Sequence, residues 1–286
     1  MAPDTGYLAW LRKTRAWIQA GRRDDPLRRD PTAMATRLRD YYARYYRDTL
    51  GIPSWPDHVA SRLADESREG KRLARLEGVL GRSVRGLRLL NLGSGTGGFN
   101  AVAEQAGIKT WGIDPDTDAV AIASTRVPTG RVLCAVAETL PFSDSSFDVV
   151  YCYSTLEHVQ DARQAVREMV RVLRSDGALY LHTPNRWSCF EGHYKVFWVP
   201  GMPRWMGRAY LAARGRPRSF LETLRPLSLA ECRSLLEAAG ARVVRVLDED
   251  SKRPVGGPLW PLVRFYYGLF RIRPYVELIA VRREHA

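Results

Sequence analysis

The sequence predicts an α/β chain folded around a doubly wound, mostly parallel sheet. Short apolar strands alternate with helices across residues 87–183. The first of those strands runs into a glycine-rich turn, and the second ends on an acidic residue, Asp114. Parallel strands need crossover connections, and helices used as crossovers cover both faces of such a sheet. The chain has 286 residues, 45% of them hydrophobic and 26% charged, enough to bury one large core or two small ones. Disordered, collagen-like and disulfide-scaffold classes are excluded by the same composition.

Each element has a local reason. Residues 1–50 are rich in Arg and Tyr, with Tyr41-Tyr42 and Tyr45-Tyr46, and read as helical. Pro53 and Pro56 break the chain around Trp55. Val59, Leu63, Leu73, Leu76 and Leu80 recur near helical spacing, which predicts a helix over 59–80 stopped by Gly81. Strands are predicted at 87–92, 109–113, 132–137 and 147–153, with helices at 99–106 and 116–124 between them. Asp161, with Gln164 three residues on, opens a helix ending near Leu173; Ser175-Asp176-Gly177 then turns into a strand at 178–183. After Pro184 the rhythm stops for about forty residues rich in Trp, Tyr, Arg and Pro, and loops of that length are commonly functional. Ser228 and Glu231 make a capping box for a helix to Ala239, with Gly240 as its stop. The last strands are predicted at 242–247 and 276–281, joined by the aromatic segment 259–272.

Cys134, Cys152, Cys189 and Cys232 form no CxxC pair and read as reduced thiols, three of them in the core. Residues 1–20 carry Asp4, Arg12, Lys13 and Arg15, unlike a signal peptide. The apolar stretch 255–270 is interrupted by Arg264 and two prolines and is too short for a bilayer span. A cytoplasmic protein, at most peripheral to a membrane, is expected.

The chemistry-bearing motif is Leu89-Leu90-Asn91-Leu92-Gly93-Ser94-Gly95-Thr96-Gly97-Gly98. Glycines between a strand and a helix let the backbone approach a ligand closely. Asp114 lies about 20 residues on, where dinucleotide folds hold ribose hydroxyls, so an adenosine-bearing cofactor is implied. Gly93, Gly95 and Gly98 also satisfy G-x-G-x-x-G, which keeps a nicotinamide-dependent oxidoreductase as an alternative. No Tyr-x-x-x-Lys pair exists to serve a short-chain dehydrogenase.

Four further blocks follow in order: Ala137-Glu138-Thr139-Leu140-Pro141-Phe142, Ser146-Phe147-Asp148-Val149-Val150, Leu156-Glu157-His158-Val159, and Glu168 through Gly177. With the glycine loop, this order resembles the class I S-adenosylmethionine-dependent methyltransferases, specifically the type 11 small-molecule group, over residues 85–185. The resemblance implies a Rossmann-like seven-stranded methyltransferase fold. It implies an N-terminal helical extension (1–84), a cofactor core (85–185), a lid inserted after the fifth strand (186–227), and a C-terminal helix and two strands (228–286). S-adenosylmethionine would be the cofactor and S-adenosylhomocysteine the product. Gly93, Ser94, Gly95 and Gly97 would cradle the methionine and ribose parts, and Asp114 the ribose hydroxyls. Pro115, Ala137 and Glu138 would border the adenine, and Ser154 would lie near the sulfonium. Asn91 stands where the family usually has an acidic residue, and Val136 where an Asp often precedes Ala-Glu.

Methyl transfer from an activated sulfonium asks the protein mainly to exclude water and align the acceptor. Tyr153 or Tyr46 could offer an aromatic face to the cation. A hydroxyl acceptor also needs a base, for which His158 is one candidate. The second is His193 with Glu191 as its orienting partner, in a Pro-Asn-Arg … Glu-x-His-Tyr loop like that of a subset of these enzymes. There Asn185, Arg186 and Tyr194 would bind substrate. His58, His182 and His285 carry no ligand spacing, so no metal is expected.

The net charge is +13, and residues 1–50, 186–218 and 251–286 carry +5, +6 and +5, leaving the rest of the chain at −3. The basic appendages therefore surround a mildly acidic cofactor region. They suit an anionic small-molecule or lipid-linked acceptor, or a membrane surface. Residues 259–270 would lie on a bilayer or form a buried or lid helix. Nucleic acid ranks lower: the fourth strand ends in Tyr153-Ser154-Thr155, not in the Asn/Asp-Pro-Pro-aromatic sequence of base amino-methyltransferases. The predicted reaction is O-methylation of a sugar, glycolipid or natural product. A cofactor-binding subunit without turnover is a third class.

Overall fold

Seven strands form one sheet, side by side in the order 132–134, 109–114, 88–92, 147–153, 173–184, 275–282 and 241–246. The computed structural model describes residues 30–247 and 259–283. Expectations for 1–29, 248–258 and the last three residues, His285 included, lie outside them.

Helix α1 (Pro31–Ala43) is capped by Asp30, whose carboxylate accepts from the Thr32 and Ala33 amides, and Pro31 occupies its first turn. It runs directly into a π-helical turn, Arg44–Thr49. The single helix predicted over 59–80 is instead two, α2 (Trp55–Leu63) and α3 (Asp65–Leu80), because Ala64 leaves the helical region at ψ 43°. Gly81 closes α3 in the left-handed region, as expected.

The alternating core follows: β1 (Arg88–Leu92), α4 (Gly98–Gln105), β2 (Lys109–Asp114), α5 (Thr117–Arg126), β3 (Val132–Cys134), β4 (Phe147–Tyr153), α6 (Ala162–Val172) and β5 (Leu173–Pro184). Strand β3 is shorter than the predicted 132–137. It pairs only with Gly112–Asp114, and the pairing runs out after the Ala135 amide donates to the Asp114 carbonyl at 3.2 Å, where β2 ends. The segment after Pro184, expected to lack regular structure, holds a hairpin, β6 (Phe190–Glu191) with β7 (Val196–Phe197), and helix α7 (Arg204–Ala213). Helix α8 (Leu229–Ala238) has the full reciprocal capping box of Ser228 and Glu231. Strand β8 (Ala241–Val246), helix α9 (Trp260–Phe270) and strand β9 (Tyr275–Arg282) complete the described chain.

Strands β1 to β5 are mutually parallel, whereas β9 runs antiparallel to both β5 and β8. The chain order reverses between β1 and β4. Ligands of open α/β sheets bind at the carboxyl ends of the strands flanking such a reversal. Here those ends are Gly93 and Ser154.

Successive strand residues serve opposite faces. Leu90, Leu92, Val150 and Cys152 pack under α6 and α8, while Leu89, Val149 and Tyr151 pack under α3 and α4. A separate core joins elements far apart in sequence: Tyr42, Tyr46 and Leu50 pack with Tyr194, Val196, Leu211 and Leu221. Helix α1 is thereby docked on the segment that follows β5. Cys152, Cys189 and Cys232 are buried and Cys134 half-buried, all free. Among the described residues no helix is long and apolar enough to cross a membrane.

Candidate active site

The glycine loop is shaped by close contacts. Gly93 has φ +69°, and a Cβ there would sit 2.1 Å from Thr155 Oγ1, the hydroxyl that donates to the Leu92 carbonyl. A Cβ on Gly97 would meet Ala123 of α5 at 2.9 Å, whereas Gly95 faces open space. Asp114 accepts from the amides of Gly95 (2.8 Å) and Asp116 (2.9 Å), which ties the loop to the end of β2. Burial raises its carboxyl above the ordinary value despite those two bonds.

A cavity of about 180 Å³ lies against this loop, lined by Asn91, Gly93, Ser94, Gly95 and Ser154. Its outer wall comes from the N-terminal helices. Tyr42 Oη is 2.8 Å from Thr96 Oγ1, and the Arg72 guanidinium lies 4.0 Å over the Tyr153 ring. Glu69 is buried between Arg68 (2.7 Å) and Arg72 (3.0 Å). Burial pushes the Glu69 carboxyl up, but the two guanidinium groups overcome it and hold it below the usual value. Asn91 donates to Asn100 Oδ1 at 2.7 Å. Glu69 brings a carboxylate into the same cavity lining as Asn91.

A larger cavity, about 640 Å³, opens on the far side of the β4–α6 loop. Glu157, Phe190, Glu191, His193, Trp198 and three arginines (Arg186, Arg204, Arg225) line it. Ser154 faces the smaller cavity and Glu157 the larger, so one short loop separates the two. That loop is strained at Ser154, a non-glycine residue with φ +50° whose amide is bonded to the His182 carbonyl at 2.7 Å.

His158 and His193 come together here, their ring centroids 5.0 Å apart. His193 Nδ1 lies 2.8 Å from Glu191 Oε1, the pairing expected from sequence. Burial lowers the His193 imidazole, and that hydrogen bond with the Glu191 charge more than restores it, leaving it raised. For Glu191, burial acts upward and His193 prevails, leaving it lowered. Burial, aided by His193, pulls His158 down to about 4. Between them stands Glu157, fully buried and raised by that burial, with Thr183 Oγ1 donating to its Oε2 at 2.9 Å.

A family model described as a methyltransferase domain matches residues 90–181. An S-adenosylmethionine-dependent methyltransferase of Mycolicibacterium smegmatis is 30% identical over 193 residues, 67% of this chain and 66% of that one. The methyltransferase solved in complex with the Haloferax volcanii Trm112 activator superposes with TM-score 0.51 at 20% identity, over 80% of this chain and 97% of that one. The chain belongs to the class I S-adenosylmethionine-dependent methyltransferases. The cyclase SpnF also superposes with TM-score 0.51, at 21% identity over 78% of this chain and 83% of its own. These structural likenesses establish the fold of the methyltransferase and not its acceptor. The chain spans about half the length, or less, of the first curated relatives it matches.

The smaller cavity of this methyltransferase fits the family's cofactor. Gly95 leaves room where a side chain would intrude. Ser94 Oγ, in the cavity lining, is buried with no hydrogen-bond partner. Glu69 beside Arg68 and Arg72 offers both signs of charge to an amino-acid group. Gly97, Asp114, Pro115, Ala137 and Glu138 are outside this lining. The Glu138 carboxylate instead accepts from the amides of Gln160 and Asp161 and holds the start of α6.

Three expectations for the acceptor side change. Tyr194 does not line the cavity: it is wholly buried in the core shared with α1, packed on Phe220, because the tight 190–197 hairpin turns it inward. Asn185 lines the cavity, yet its amide is spent on the Arg273 carbonyl (2.8 Å) and the Trp187 amide (3.1 Å). Arg186 is engaged by Glu231 at 2.7 Å. Sequence reasoning passed over Glu69, Arg72, Arg204 and Arg225 and named Glu157 only within the Leu156-Glu157-His158-Val159 block. The adjacency of Glu157 to His158 was the one available signal for it.

Proposed function

We propose that this protein transfers the methyl group of S-adenosylmethionine to an oxygen of a small, anionic acceptor, such as a sugar, glycolipid or natural product. The observation that carries the reading is the pair of cavities separated by one strained loop, with a Glu/His cluster on the acceptor side. The cofactor, when bound, supplies a methyl group already activated for displacement. Gly93, Ser94, Gly95 and Gly97 shape its cradle, Glu69 and Arg72 meet its amino-acid end, and Ser154 marks the passage to the acceptor. Arg225 recognises a phosphate or carboxylate, and Arg204, held by Glu222 at 3.5 Å and by the Leu224 carbonyl at 2.8 Å, adds positive charge beside it. Glu157 and His193 face the acceptor hydroxyl from the cavity lining and ease removal of its proton, with Glu191 orienting His193; His158 is outside that lining and packs against His193 and Phe220 behind it. Residues 186–227 form the lid that keeps water out.

A lipid-linked acceptor is favoured by helix α9. Its outward residues Leu262, Phe265 and Leu269 are exposed, and Arg264 and Arg271 flank them. Tyr267 Oη accepts from the Cys189 amide (2.8 Å), and Tyr266 Oη donates to the Trp187 carbonyl (3.3 Å), which attaches α9 to the lid. That apolar stripe with arginines suits an anionic bilayer surface.

The test is transfer of labelled methyl into a cell extract, fractionated into lipid, soluble and nucleic-acid pools. Label in the lipid or soluble pool supports the reading, and label confined to nucleic acid overturns it.

A further inference from the structure

We propose that Glu157, His158 and His193 bind a divalent transition-metal ion on the inner wall of the larger cavity. The proposal rests on reading that cavity as the acceptor site. Its first support is Glu157 Oε1, which is buried and has no hydrogen-bond partner, while Oε2 is satisfied by Thr183. An unpaired buried carboxylate oxygen is costly, and a cation is the partner that removes the cost most fully. Two ring nitrogens face it: His158 Nε2 and His193 Nε2, each 3.9 Å away.

The three ligand atoms all lie within 4.8 Å of one another. A point equidistant from them is roughly 2.5 Å from each, against about 2.0–2.2 Å in a formed zinc site, so side-chain shifts of a few tenths of an ångström close it. The second support is the shell behind the ligands. Glu191 accepts the Nδ1–H of His193, which turns the Nε2 lone pair toward Glu157. Carboxylate-held histidines of this kind are the usual backing of metal-bound imidazoles. Thr183 likewise orients the Glu157 carboxylate. Two imidazoles and one carboxylate suit Zn²⁺, Mn²⁺ or Fe²⁺, and three protein ligands leave a position open to the cavity. An acceptor hydroxyl taking that position would release its proton to solvent as it binds, before residues 186–227 cover the site, and stay bound as the alkoxide. No motif announces this site, because its ligands come from two separate loops that meet only in the fold.

The experiment is calorimetric titration of Zn²⁺, and separately Mn²⁺, into the full chain after treatment with a chelator and dialysis. One bound equivalent is expected. Binding should be lost in His158→Ala, His193→Ala and Glu157→Gln, and weakened about 10- to 100-fold in Glu191→Gln. Retained S-adenosylhomocysteine binding verifies that each variant is folded, and the half-exposed His158 keeps the test valid if Glu157→Gln does not fold. Absence of stoichiometric binding, or binding unmoved by these substitutions, overturns the proposal. Labelled-methyl transfer is followed in the same samples. Transfer that survives chelation removes the ion and leaves the methyltransferase reading intact. A wild-type chain that binds Zn²⁺ but no S-adenosylhomocysteine keeps the ion and overturns that reading.

Discussion

His193 and Glu69 each occupy a site whose chemistry is set by neighbours distant in sequence. His193 depends on Glu191 for its orientation and on Glu157 for what it faces. Replacing it with Ala should slow transfer by about 10²–10⁴-fold, the range of a lost acid–base group, with S-adenosylhomocysteine affinity unchanged. A variant that kept wild-type rates would remove the cluster from the mechanism. Glu69 makes a pH prediction. Its carboxyl is held below the ordinary 4.5 by Arg72 and Arg68 once burial is overcome. A depressed folded value stabilises the protein above the unfolded value, and that contribution fades as pH falls through the folded one. Glu69→Gln should therefore be less stable than wild type near neutrality, and the difference should shrink as pH drops below about 4.5. Denaturant unfolding of both proteins across that interval measures it; a difference independent of pH would contradict the assignment.

Among the elements, α9 and the β4–α6 loop matter most. The stripe Leu262, Phe265 and Leu269 predicts that the protein sediments with vesicles of mixed anionic and zwitterionic lipid and not with zwitterionic vesicles alone. A Phe265→Glu, Leu269→Glu pair should abolish the sedimentation while labelled-methyl transfer to a water-soluble acceptor persists. Sedimentation that survives both charges would dismiss α9 as the contact, and a concentration-dependent dimer lost in the variant would assign the stripe to self-association instead. Most elements were legible in the sequence because their signals are local. The Ser228–Glu231 capping box, the Gly81 stop and the Asp161 cap each act within a few residues. The interruption at Ala64 and the early end of β3 were not legible. One is a backbone choice without a breaker residue, and the other depends on where the neighbouring strand stops.

For the whole molecule, the core shared by α1, the 190–197 hairpin and α7 joins the two cavities mechanically. Tyr42 stands in that core and also bonds Thr96 of the glycine loop. Leu211→Ala, at a fully buried position, should cost about 2–5 kcal/mol of stability. It should also weaken S-adenosylhomocysteine binding although Leu211 lines neither cavity. Denaturant titration and calorimetry on the same variant read both effects, and a stability loss with unchanged affinity would show the core to be uncoupled from the cofactor wall. Part of the net +13 acquires a place at this scale: Arg186 and Arg204, both from the basic stretch 186–218, stand on the larger cavity.

What the sequence determined by itself is the cofactor half. Strand, glycine loop and Asp114 are bound by short-range geometry, in which a turn needing φ > 0 or close backbone approach leaves its mark in residue type. Beyond the Glu191–His193 pair, the tertiary structure alone decided what surrounds the larger cavity. Tyr194 went into a core rather than a cavity and Glu157 met His193 from another loop, and on the cofactor side Glu69 came into the same cavity lining as Asn91. These pairings depend on how the extension and the lid pack over the sheet. Packing of segments so far apart in the chain leaves no periodic or spaced pattern along it.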